Sequence, residues 1–323
     1  MASVCPGDCC SQTKTKVQTQ TAHRMMASMI GFRMILTKKL FCIGIIACIN
    51  LFAKGYIDQI GPPWGYTFTD WNGPPLDIIS YIPPNATVDT PILIVIPGAS
   101  RDAQRFHASW LDLAKKKNFS VLTVGAKKKY FPDEYSYNAG GLFLEDGEKI
   151  EEDKWLFSSI EPIFYDFKNR YGFKTTKFYM FGHSAGGGFV HRYLLFKPDA
   201  PIIKAAAANP AFVTLPDWSV NYPFGLKNSP VNKKHLKLWL KKNMAIVLGS
   251  EDLGPRTKPL SNGLLARKQG PNCLSRGKLL FETAGKKAIE LSSAFNWEII
   301  VVPNVGHDNY AIAPAACNYL FGE

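Results

Sequence analysis

The run Gly182-His183-Ser184-Ala185-Gly186 limits what this chain can fold into more than any other feature. It follows the apolar stretch Lys177 to Phe181 and precedes Gly187 to Phe196, which reads as a helix, so it marks a tight strand-to-helix turn with a serine at its tip. A hydroxyl is a poor nucleophile at neutral pH. Catalysis by serine needs an exposed oxygen, an adjacent base and donors that can hold an oxyanion. Gly182 and Gly186, two positions either side of Ser184, let the turn close without collision, and the following helix points its positive end at the serine. The Ala185 N–H is the first expected oxyanion donor. The bland reading, a serine capping a helix, makes no demand on the rest of the sequence; a nucleophile does.

Those demands are met downstream. Met244 to Gly249 reads as a strand and ends in Ser250-Glu251-Asp252, which puts an acid at the carboxyl edge of a sheet, where ligands bind in such folds. Asp252 is preferred to Glu251, because an acid further along the turn reaches across more easily. The strand Trp297 to Val302 is followed by Pro303-Asn304-Val305-Gly306-His307, and the order serine, acid, histidine suits a base at His307. Asp308 reads as a helix cap. His183 and His191 flank the serine turn and read as packing or hydrogen-bonding residues, while His23, His107 and His235 have no comparable context. A second oxyanion donor is expected from Pro97-Gly98-Ala99-Ser100, with the Ala99 N–H first and Ser100 second.

Strand-like runs at 76–82, 91–97, 120–124, 177–181, 202–208, 244–249 and 297–302 alternate with helical patterns at 103–117, about 154–171, 187–196 and about 264–295, the last broken near Gly270-Pro271 and Gly277. This alternation predicts an α/β fold with a mainly parallel central sheet and helices on both faces. With 46% hydrophobic residues in 323, the chain has enough apolar material for one large core. We read 54–75 as a linker and 76–323 as a single catalytic domain, with an irregular stretch from Tyr130 to about Gly147 and an insertion at about 210–240. Trp218, Tyr222 and Phe224 in that insertion are candidates for lining a substrate pocket.

The first 53 residues differ from the rest. Lys38-Lys39 precede a 14-residue apolar run, Leu40 to Ala53, too short for a comfortable span but of the length of a secretory signal core. Residues 34–53 form a complete export signal if translation starts at Met34, and an exported, periplasmic or secreted enzyme is expected. Membrane association through 40–53, or through lipidation of Cys48 in a loose lipobox, is the alternative. Five of the seven cysteines lie at or before Cys48; Cys273 and Cys317 remain, either as one disulfide or as buried thiols. There is no zinc-binding spacing, and no metal or cofactor is expected. The net charge of +12 comes largely from short lysine clusters without aromatic interleaving, which read as solvated surface and not as a nucleic-acid site.

With these residues in place, the chain from about Leu76 onward resembles the bacterial α/β-hydrolases grouped near polyhydroxybutyrate depolymerases and feruloyl or acetyl esterases. The resemblance rests on PGASRDAQRF, GHSAGGGFVHRYLLF, LPDWSVNYPFGL, VLGSEDLGP and VPNVGHD. It departs from these families at Pro97, where they usually carry His-Gly. It implies the α/β-hydrolase fold, a triad of Ser184, Asp252 and His307, and hydrolysis of carboxylic esters, with a small-molecule or polymeric ester as the partner. A peptidase or thioesterase on the same scaffold shares this chemistry, and a non-catalytic binding protein is the reading from a different class.

Overall fold

The computed structural model describes residues 64–322. The export segment read at 34–53, Cys48 and the first part of the linker lie outside the described residues.

Eight strands form one sheet in the order β1-β2-β4-β3-β5-β6-β7-β8. They are β1 (Trp64–Phe68), β2 (Leu76–Tyr81), β3 (Ile92–Ile96), β4 (Ser120–Gly125), β5 (Phe178–His183), β6 (Ile202–Ala208), β7 (Met244–Gly249) and β8 (Trp297–Val302). β1 and β2 join antiparallel, as do β2 and β4; every other pairing is parallel. β3, with sequence Ile-Leu-Ile-Val-Ile, is buried throughout, as a strand covered on both faces must be. Its alternate side chains feed two cores. Leu93 and Val95 belong to the apolar cluster that contains Trp110 and Cys317, whereas Ile92, Ile94 and Ile96 belong to the one that contains Phe164, Leu194 and Leu280.

The helices cover both faces. α1 (Ala103–Lys117) starts at Asp102, whose side chain accepts from the Arg105 N–H, and ends with three lysines on its last turn before Asn118 in the left-handed conformation. Both ends are therefore written in the sequence. α2 (Ile160–Tyr171) follows two short 3₁₀ turns, so the helix expected from about 154 becomes regular only at Ile160. α3 (Ala185–Phe196) is buried at every position, which its polar-poor sequence allows. α4 (Lys233–Leu240) lies within the insertion, capped by Asn232 and His235, giving His235 a structural role. Three helices, α5 (Pro259–Asn262), α6 (Leu264–Lys268) and α7 (Cys273–Glu290), replace the long helical region, and α8 (Asn309–Phe321) closes the domain.

One boundary needs correction. Residues 64–68, read as linker, are the edge strand β1. Its aromatic alternation, Trp64, Tyr66 and Phe68, is hidden in the sequence by flanking prolines and glycines, which an edge strand tolerates. Cys273 and Cys317 are buried free thiols. Among the described residues no helix is long and apolar enough to cross a membrane.

Candidate active site

Ser184 sits between β5 and α3 with φ 61° and ψ −118°, a conformation that ordinary side chains avoid. It is held there from both sides: its N–H donates to Ala208 O at 2.9 Å, and its carbonyl accepts from Gly188 N at 3.0 Å. The small residues flanking it are required by close approach. A Cβ on Gly186 would lie 2.0 Å from Ile96 O, and one on Gly182 would lie 2.2 Å from Gly186 O. The start of α3 is thus pressed onto the end of β3. The loop after β3 arrives at the same place, since a Cβ on Gly98 would be 3.5 Å from Ser184 Cβ. Ala99 follows directly, and Ala185 is the first residue of α3, so both expected oxyanion donors belong to segments adjoining the serine.

The residues expected as acid and base meet. His307 Nδ1 lies 2.6 Å from Asp252 Oδ2, and Asp252 is 1% exposed. Glu251 instead points outward; its hydroxyl neighbour Ser250 donates to it at 3.1 Å. The backbone explains this choice: Glu251 N–H donates to Val305 O at 2.8 Å, clamping the acid loop to the base loop and turning the next side chain inward. The Arg256 guanidinium lies 3.5 Å from Asp252 Oδ1. The thiol of Cys273 also lies against the carboxylate, and burial first, then Asp252, push that thiol up to about 12, so it stays protonated and can only donate. Donor atoms of Asp252, Cys273 and His307 fall within 4.8 Å of one another.

His183 packs beside His307, with 4.6 Å between the ring centroids. Burial holds its imidazole neutral, well below the ordinary value, and the neighbouring His307, Arg105 and Arg256 act in the same direction. His191 is buried and neutral too; Nδ1 faces Gly187 O at 2.9 Å and Nε2 accepts from Thr214 N at 3.1 Å. Both histidines are therefore the packing and hydrogen-bonding residues that their positions suggested.

The three aromatic residues proposed as pocket lining are engaged elsewhere. Tyr222 is buried between Phe196 and Phe143 and donates to Ala139 O; Phe224 is buried against Phe212; Trp218 lies at the margin with its indole N–H 3.4 Å from Val231 O. Tyr222 fastens the insertion to the domain, whereas Val231 and Phe212, the partners of Trp218 and Phe224, belong to the insertion itself. The cavity that reaches Ala99, about 330 Å³, is lined instead by Arg101, Lys128, Glu134, Tyr135, Glu145 and Lys258, among others. Arg101 stacks on Tyr137, 3.4 Å from the ring centroid, and donates to the carbonyls of Phe131 and Asp133. These charged residues come from loops with no periodic pattern, so nothing in their spacing groups them.

Arg192 and Asn209 also escaped sequence reasoning. Arg192, fully buried on α3, donates to Thr214 Oγ1 at 2.7 Å and to the carbonyls of Asn138, Gly188 and Phe212, tying the insertion to the serine helix. Burial lowers its guanidinium to about 10, with Tyr222 and Glu134 opposing. The position of Asn209 between an alanine-rich strand and a proline was the one available signal for it.

No protein-family model matches the chain, and no curated protein matches it. Among solved structures it is similar to poly(aspartic acid) hydrolase-1 from Sphingomonas sp. KT-1, at 35% identity and TM-score 0.78, covering 81% of this chain and 99% of that one. LpqC, a poly(3-hydroxybutyrate) depolymerase from Bordetella parapertussis, is 27% identical with TM-score 0.77, covering 82% of this chain and 92% of its own. An S-formylglutathione hydrolase from Agrobacterium tumefaciens shares the fold alone, at 14% identity and TM-score 0.51, covering 80% of this chain and 92% of that one. With the eight-stranded sheet, the serine turn and a 35% identical relative matched over nearly its whole length, the chain belongs to the α/β-hydrolase family, in its esterase and depolymerase-like branch.

Proposed function

We propose that this chain is a serine hydrolase that cleaves carboxylic esters through an acyl-enzyme. The observation that carries the reading is the 2.6 Å hydrogen bond between His307 and buried Asp252, in a domain whose Ser184 is held at φ 61°. In this mechanism His307 takes the Ser184 proton as the oxygen attacks the carbonyl carbon, and Asp252 orients the ring and stabilises the imidazolium. The Ala185 and Ala99 N–H groups hold the oxyanion. The tetrahedral species collapses as His307 returns the proton to the leaving alkoxide. Water, activated by the same histidine, then frees the acyl group and restores Ser184. Relatives named as a depolymerase and as a hydrolase support the reaction class.

Ser184→Ala tests the reading. Turnover of a short p-nitrophenyl ester should fall by roughly 10⁴-fold or more, and labelling by a fluorophosphonate should disappear; an active, labelled variant would sink the proposal.

A second reading concerns the polymer. The Sphingomonas relative is named for poly(aspartic acid), an acidic chain, and this protein carries a net charge of +12. The same acyl chemistry cleaves an amide. Offering poly(aspartic acid) beside the ester panel and measuring released ends separates the two readings.

A further inference from the structure

We infer that Asn209 is a positioning residue for the hydrolytic machinery, its single buried amide tying the serine strand, the acid loop and the base loop to one point. The inference rests on the assignment of Ser184, Asp252 and His307 above.

Asn209 follows β6 and is 0% exposed. Its backbone lies in the left-handed region at φ 43°, which asparagine adopts more readily than most residues, and its N–H donates to Val247 O at 2.9 Å. From there the side chain reaches three ways. Oδ1 accepts from Gly249 N at 2.9 Å, three residues before Asp252. Nδ2 donates to Gly306 O at 3.4 Å, immediately before His307, and to His183 Nε2 at 3.3 Å, immediately before Ser184. Every partner is within three residues of a member of the proposed triad.

The chemistry of the position is demanding. The Gly249 N–H requires an acceptor, which fixes the orientation of the amide, and both remaining partners are acceptors that need its two N–H donors. Aspartate has no donor to offer, and glycine has no side chain. His183 accepts only because it is neutral, with the proton on the other nitrogen. The charged and titratable groups around it are His307, Arg105 and Arg256, all of which oppose a second proton. Locked in this way, the ring forms a wall beside the His307 ring, 4.6 Å between centroids. A further clamp shows how little slack the junction has: a Cβ on Gly249 would lie 2.3 Å from Val305 O. The position of the base relative to the serine is thus set through β6, a strand that supplies none of the three reacting groups.

The full-length protein with Asn209→Gly tests this, since glycine keeps the left-handed backbone and removes only the amide; Asn209→Asp, which keeps the Gly249 acceptor, is the second variant should the first fail to fold. Misplacement by about 1 Å can cost around a hundredfold in rate, so kcat should fall by roughly ten- to a hundredfold with KM within about twofold of wild type. Phosphonylation of Ser184 by a fluorophosphonate should slow in step. The downfield proton resonance of the His307–Asp252 hydrogen bond should move or broaden at temperatures where the variant is folded. Wild-type kcat with an unmoved resonance in the folded variant overturns the inference. Labelling of the wild-type protein reports separately on the underlying assignment: an unlabelled wild type removes both, whereas a labelled wild type with an unaffected Asn209→Gly variant removes the positioning role alone.

Discussion

At the scale of single residues, the serine turn couples chemistry to instability. Ser184 is held at φ 61° by hydrogen bonds on both sides, and a non-glycine residue in such a conformation costs about 1–3 kcal/mol. Glycine adopts it freely. Ser184→Gly should therefore raise unfolding stability by about 1–3 kcal/mol while removing hydrolysis, measured by chemical denaturation beside the ester assay. A destabilised variant would mean that the hydroxyl contributes more than the strain costs. The choice between Glu251 and Asp252 belongs to this scale as well. Position in the turn favoured Asp252 in the sequence, and the Glu251 N–H to Val305 O bond accompanies the inward turn of that side chain.

At the scale of elements, the central strands were legible because their alternation and length leave little choice. β6, β7 and β8 start and end where the apolar runs do, and α1 is bounded by Asp102 and Asn118. What the sequence hid were contacts between segments distant along the chain. Arg192 is the strongest case: a guanidinium on a buried helix reads as misplaced until the carbonyls of Asn138, Gly188 and Phe212 and the Thr214 hydroxyl are seen around it. Arg192→Met keeps much of the volume but takes the guanidinium donor from Thr214 Oγ1 and from the carbonyls of Asn138 and Phe212, each group left unpaired costing about 1–3 kcal/mol. We expect a loss of about 3 kcal/mol or more in denaturant unfolding, with protease cuts appearing first between Ala211 and Pro230. Uniform loss of protection would instead make Arg192 a general core residue. The insertion aromatics show the converse, since Tyr222 and Phe224 are large and apolar enough to line a pocket or to fill the core, composition does not tell which, and both are buried.

At the scale of the whole molecule, three buried histidines set a shared dependence on pH. Burial drives His107 down to about 4, and holds His183 and His191 well below their ordinary value. The unfolded chain binds protons below about pH 6.5 that these folded imidazoles refuse. Their contribution is therefore complete above that pH and is lost as pH falls, at about 1.4 kcal/mol per pH unit for each histidine. Glu134 and Glu161, both raised by burial, oppose this on the acid side. The melting temperature should drop from pH 6.5 toward pH 5. His107→Gln, which keeps a partner for Thr123, should flatten that slope by about a third. An unchanged slope in calorimetric scans of the variant would show that His107 is protonated in the native protein.

The strand order also decides how this enzyme can be held. β1, where the described chain begins, and β8, which leads to His307, are the two outer strands of one sheet. With strands about 4.8 Å apart, those edges are separated by roughly 34 Å along the sheet, and the serine strand lies roughly 19 Å from β1. A tether attached ahead of Trp64, whether a surface, a bead or a lipid, would grip the molecule by the edge remote from its acid and base loops. Immobilised from that side, the enzyme would keep its working end turned toward whatever polymer or small ester diffuses past.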